Sequence, residues 1–82
     1  MPKLELPLPR RVLDHLCQRV AQRHITAEQL ADLQQWILTD PEVPGAGVDW
    51  YKRFAGFILC GRGPRCTTIL EPGQLPHGTQ IV

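Results

Sequence analysis

Three sets of residues in this 82-residue chain have types and spacings that could do chemistry: thiols with imidazoles, a glycine-rich turn, and aromatics interleaved with bases. Cys60, Cys66 and His77 fall in the spacing C-x5-C-x10-H. Structural zinc sites pair cysteines closely in sequence and take four ligands, so this trio predicts no metal site. Cysteines on either side of a turn can face each other across a hairpin as small apolar residues, or form a disulfide on oxidation where the geometry is favourable. Nucleophilic catalysis by a pair such as Cys66 with His77 needs a third, orienting group, and the sequence marks none. The chain has no serine, and its other histidines, His15 and His24, lie on the polar side and at the end of a predicted helix. Gly61-Arg62-Gly63 begins like a dinucleotide-binding fingerprint, but Cys66 stands where the third glycine belongs and a strand follows instead of a helix. Turn geometry accounts for these glycines. The expectation is a protein that is not an enzyme and carries no cofactor, since so short a chain seldom builds a sizeable pocket.

The third set is Trp50-Tyr51-Lys52-Arg53-Phe54, joined by Arg62 and Arg65. Rings that stack on bases beside cations that meet phosphates are what single-stranded nucleic acid requires. Trp, Tyr and Arg are equally the residue types enriched at protein interfaces. A net charge of only +1 gives no field to draw the whole molecule to nucleic acid or to an anionic membrane. The leading expectation is therefore a small adaptor or regulator that binds another protein through the hairpin. Trp50, Tyr51, Lys52, Arg53, Arg62 and Arg65 are the contact residues, the partner presents an acidic patch, and a homodimer is a further option. A single-stranded nucleic-acid module is the alternative, and the third reading has the aromatics opening a core strand while the bases are solvated.

These residues must be positioned by two differently patterned halves. Residues 1–9 hold prolines at positions 2, 7 and 9, which forbid a continuous helix, while Leu4, Leu6 and Leu8 alternate as on one face of an extended arm. Helix 1 is predicted from Arg10 or Arg11 to about His24, with Val12, Leu13, Leu16, Cys17, Val20 and Ala21 on one side. Arg10 and Arg11 oppose the dipole at its start, a departure that can mark an anion or acidic-partner contact and is more often merely tolerated. Helix 2 is predicted from Ala27 to Thr39 or Asp40, opened by a capping box of Thr26 with Gln29 and closed before Pro41. Its acidic N-terminal half, Glu28 and Asp32, does not suit a recognition helix in a DNA groove.

The second half reads as strands. Residues 41–49 form a loop, Phe54 to Cys60 a strand, Gly61 to Pro64 a turn, Arg65 to Leu70 the returning strand, and Thr79 to Val82 a terminal one. Residues 54–60 are apolar on both faces, so the strand needs cover on both sides: the helices on one, and on the other a curled sheet, the arm or another chain. Gly56 reads as a bulge or bend. The fold expected is α+β in one domain, residues 1–82, with an N-terminal αα-hairpin at residues 10–40 packed on a small three- or four-stranded antiparallel sheet at residues 50–82.

Charge is segregated along the chain. Residues 1–25 carry five bases against two acids, residues 26–50 five acids and no Lys or Arg, and the remainder four bases against Glu71. Three cysteines, an odd number, and an N-terminus without an apolar signal segment point to a reducing cytoplasm. No run is long enough to span a bilayer.

Overall fold

The computed structural model describes residues 2–82. Two helices, α1 (Arg10–Ala21) and α2 (Ala27–Leu38), precede four strands, β1 (Asp49–Phe54), β2 (Phe57–Arg62), β3 (Arg65–Leu70) and β4 (Thr79–Gln80). The fold is α+β, with both helices on one face of a sheet ordered β3-β2-β1-β4. β1–β2 and β2–β3 are antiparallel, whereas β4 lies parallel to β1, so the sheet is mixed and not purely antiparallel. Among the described residues the N-terminal arm adds an isolated bridge, Lys3 to Glu42, and no strand.

Local chemistry sets the helix boundaries. Pro9 opens α1 without a side-chain cap, as a residue with fixed φ and no N–H can. Arg23, with φ +63°, ends the turn after it, three residues short of the predicted reach, and the His24 and Ile25 amides close onto the Arg19 carbonyl. Thr26 begins α2 with the full reciprocal box: the Gln29 amide donates to Thr26 Oγ1 at 3.1 Å, and the Thr26 amide donates to Gln29 Oε1 at 2.9 Å. Asp40, at φ +54°, turns the chain away from α2.

The sheet departs from the sequence reading at a further point. Phe54 to Cys60 is not one strand, because Ala55 and Gly56 form a tight turn between β1 and β2. Gly56 has φ +90°, which fits the second central position of a type II turn. A Cβ there would run into the Gln29 side chain that holds the capping box, so the turn is seated directly on the start of α2. The aromatic stretch thus becomes a strand in the middle of the sheet, and Gly63-Pro64 makes the second turn, with Gly63 at φ +56°.

Core residues come from every part of the chain: Leu4 and Leu8 of the arm, Val12, Leu16, Ile25 and Leu33 of the helical half, Val43, and Trp50, Phe57, Leu59, Cys66 and Ile69 of the sheet. Ile58 and Cys60 are also buried, on the face of β2 that turns from the helices. The chain must pass over β2 and β1 to reach β4, and Leu75 and His77 share a cavity with Cys60 and Thr68 there. That face is thus crossed by the chain's own C-terminal segment, with Leu75 still 92% exposed, and the sheet stays open with β3 and β4 at its edges. Arg19 donates to Glu71 Oε1 at 2.6 Å, fastening the end of β3 to α1 and holding the Glu71 carboxyl below its ordinary range. No helix is long and apolar enough to cross a membrane among the described residues.

Candidate protein-binding surface

The hairpin residues occupy three different environments. Trp50 is 0% exposed, and its indole Nε1 donates to the Gly63 carbonyl at 2.7 Å. Its ring lies so close over Gly61 that a Cβ there would strike it. It offers no surface to a partner and instead ties β1 to the Gly63-Pro64 turn. Lys52 lies on the same side of β1, half-buried, with Nζ 5.7 Å from the centre of the Trp36 ring and 5.3 Å from that of Phe54. Trp36 in turn meets Trp50 and Phe54 at centroid distances of 6.4 and 5.8 Å, and Phe54 stacks on Phe57 at 5.0 Å. This aromatic cluster is how α2 is anchored to β1.

Tyr51 and Arg53 point to the opposite face, where the Arg53 guanidinium lies 5.6 Å from the Tyr51 ring centre. Arg62 and Arg65 are exposed and directly opposed across β2 and β3, with Arg62 Nε 3.8 Å from Asp49 Oδ1. Six residues grouped together in sequence thus divide between the interior, the helical side and the far face of the sheet.

Cys60 and Cys66 are both buried and free, and they are not directly opposed: Cys60 pairs with Thr68 and Cys66 with Gly61 across an irregularity in the β2–β3 register. The Cys66 thiol donates to the Cys60 carbonyl at 3.3 Å. Burial pushes the Cys66 thiol up to about 12, with the neighbouring Cys60 adding to it, and burial raises Cys60 as well. Neither is an activated nucleophile. His77 approaches Asp49, with 3.4 Å between Nε2 and Oδ2, and no group of three or more His, Cys, Asp and Glu side chains comes together among the described residues.

A surface that the sequence did not announce lies on the other side of the helices. α1 rests on β3 and α2 on β1, with β2 running between those two strands. The helices thereby stand apart, and an apolar groove of about 650 Å³ opens between them and the arm. Leu8, Leu16 and Leu33 form its buried floor, and the only polar side chain in its lining is Gln34. At its rim Leu6 is 49% and Leu13 41% exposed, with Cys17 and Ala21 also open to solvent. Leu38, at the end of α2, is 77% exposed.

The periodicity of helix 1 did contain the signal. Val12, Leu13, Leu16, Cys17, Val20 and Ala21 span too wide an arc for one contact: Val12 and Leu16 are buried, while Leu13, Cys17 and Ala21 are left facing solvent. No family model, no curated protein and no solved structure matches this chain.

Proposed function

We propose that the protein is a small, non-enzymatic protein-binding module whose docking surface is the groove between α1, α2 and the N-terminal arm. The observation that supports this is the groove itself: a 650 Å³ depression with a single polar residue in its lining, rimmed by leucines that are nearly half exposed. Water gains nothing from such a lining, and burying it beneath a partner's apolar side chains is favourable by roughly 25 cal/mol per Å² covered. Three free thiols, with Cys17 exposed at the rim, suit a reducing cytoplasm.

The hairpin remains as a second, polar docking region. Arg53, Arg62 and Arg65 are exposed there and could meet an acidic patch, but Trp50, the residue type with the greatest weight at interfaces, is interior.

One capture experiment separates the two surfaces. Tagged wild type is compared in native lysate with Leu13→Glu/Gln34→Glu in the groove and Arg62→Glu/Arg65→Glu at the hairpin. The bound protein, whatever its identity, is expected to be lost with the first variant and kept with the second. The reverse result moves the function to the hairpin. Equal capture by all three removes both surfaces.

A further inference from the structure

We propose that the cavity between the start of α1 and the start of β3 binds a small phosphate monoester, held by the guanidinium groups of Arg11 and Arg65. The cavity measures about 420 Å³ and is lined by Pro9, Arg11, Arg65, Cys66 and Thr67. It shares no lining residue with the apolar groove, so the two surfaces stand or fall separately.

The position of Arg11 follows from an irregularity in the sheet. Gly61 pairs with Cys66 and Cys60 with Thr68, which leaves Thr67 without a cross-strand partner, as in a β-bulge. Arg11 Nη2 donates to the Thr67 carbonyl at 3.2 Å. One contact therefore sets the guanidinium against β3 and leaves its remaining N–H donors free. Holding an arginine by a backbone carbonyl costs it no charge, so it stays available to an anion.

Arg65 brings a second charge that nothing in the molecule offsets. It stands directly opposite Arg62 across β2 and β3, an arrangement in which like charges repel. Asp49 answers Arg62 alone, with 3.8 Å between Oδ1 and Nε, and neither Arg11 nor Arg65 has an ion-pair partner among the described residues. Glu5 comes near through its amide, which donates to the Pro64 carbonyl at 2.7 Å, but its carboxylate makes no ion pair and does not line the cavity. The only other ionisable group in the lining, the Cys66 thiol, is turned inward and donates to the Cys60 carbonyl. The lining is thus cationic throughout. α1 adds to this by opening at Pro9 with no side-chain cap and no acid in its first turn, so its positive end is also unneutralised.

Two guanidinium forks select the ligand. A carboxylate has two oxygens and is satisfied by one fork, whereas a phosphate monoester offers three terminal oxygens and close to two charges. The volume falls within the roughly 300–1,000 Å³ of small-molecule sites, which leaves room beyond the phosphate for the group it esterifies, against the Pro9 ring. An extended peptide is a poorer fit. Arg11 already occupies the Thr67 carbonyl that β3 would offer to an added strand.

The test is a two-dimensional NMR titration of the isotopically labelled full chain with phenyl phosphate, inorganic phosphate and acetate, at constant ionic strength. Phenyl phosphate is expected to saturate with a Kd of about 1 mM or below, shifting amides in residues 10–12 and 65–68, while acetate binds at least tenfold more weakly. Arg11→Gln and Arg65→Gln should each weaken phenyl phosphate about tenfold, and Arg62→Gln, outside the lining, should stay within about twofold of wild type. All three positions are exposed, so the fold should survive, and circular dichroism checks that it does. Absence of saturation by either phosphate up to about 20 mM overturns the proposal, as does acetate binding as tightly as phenyl phosphate. Equal loss in Arg62→Gln and Arg65→Gln would reduce the effect to general charge attraction and overturn the site. A phosphoserine hexapeptide binding ten times more tightly than phenyl phosphate would overturn the assignment to a small ligand.

Discussion

Trp50, Lys52 and Phe54 on β1 turn toward the helices, where the Trp50 indole satisfies the Gly63 carbonyl and Lys52 sits above two rings. Leu13, Cys17 and Ala21 on α1, with Leu38 on α2, turn toward solvent. The first group has the residue types that interfaces favour and uses them inside the molecule; the second has ordinary aliphatic and small side chains and leaves them uncovered. Composition tells what a residue can do at an interface. Only packing decides whether it is available to do it, and the packing here follows from which strand each helix rests on.

If that contrast holds, the interior aromatics should govern stability and the groove should govern association. The largest expected effect is that of Trp50→Ala, which removes a fully buried ring and leaves the Gly63 carbonyl without its donor. A cost of about 3–5 kcal/mol is expected, enough to unfold much of a domain this small, and urea titration measures it. Gly61→Ala pushes a methyl group into the same ring without altering any surface, and should cost about 1–3 kcal/mol in the same titration.

Next is the alkaline limb of stability. Cys66, pushed up to about 12, and Cys60, also raised, keep their protons in the native state at a pH where unfolded thiols, with an ordinary value of 9.0, release theirs. The unfolded chain then binds fewer protons, so stability is unaffected below about pH 8 and falls as pH rises from 9 toward 12, at up to about 1.4 kcal/mol per unit for each thiol. Cys66→Ala should flatten that slope, and a pH series of urea melts reads it. The smallest expected effect on stability is shared by Arg62→Glu/Arg65→Glu and Leu13→Glu/Gln34→Glu, each close to wild type within about 1 kcal/mol. Their difference lies in binding alone, which is what makes the pair informative.

Much of the fold was legible because particular residues dictate it locally. Thr26 and Gln29 specify one helix start, Pro9 the other, and Thr67, Thr68 and Ile69 suit the pleat of β3. The two-sided burial of β2 was also readable from the unbroken apolar run. That same run concealed the turn at Ala55-Gly56, since apolar residues continue through it and a glycine in a strand pattern fits a bulge as well as a reversal. The parallel pairing of β4 depends on where the crossing segment emerges, which no local pattern encodes. The candidate site was the least legible part. An apolar residue on a helix reads as core whichever neighbour it lacks, so Leu13 and Val12 look alike in sequence, although one is open to solvent and the other is closed.

The most direct test of the account is a two-dimensional NMR experiment on the isotopically labelled full chain, following every backbone amide from the lowest usable concentration to saturation with its partner, or with itself. The account predicts that shifting or broadening amides cluster in residues 6–8, 13–21 and 30–38, with residues 49–53 and 62–65 unchanged. Perturbations confined to the hairpin residues, with the groove silent, would contradict it.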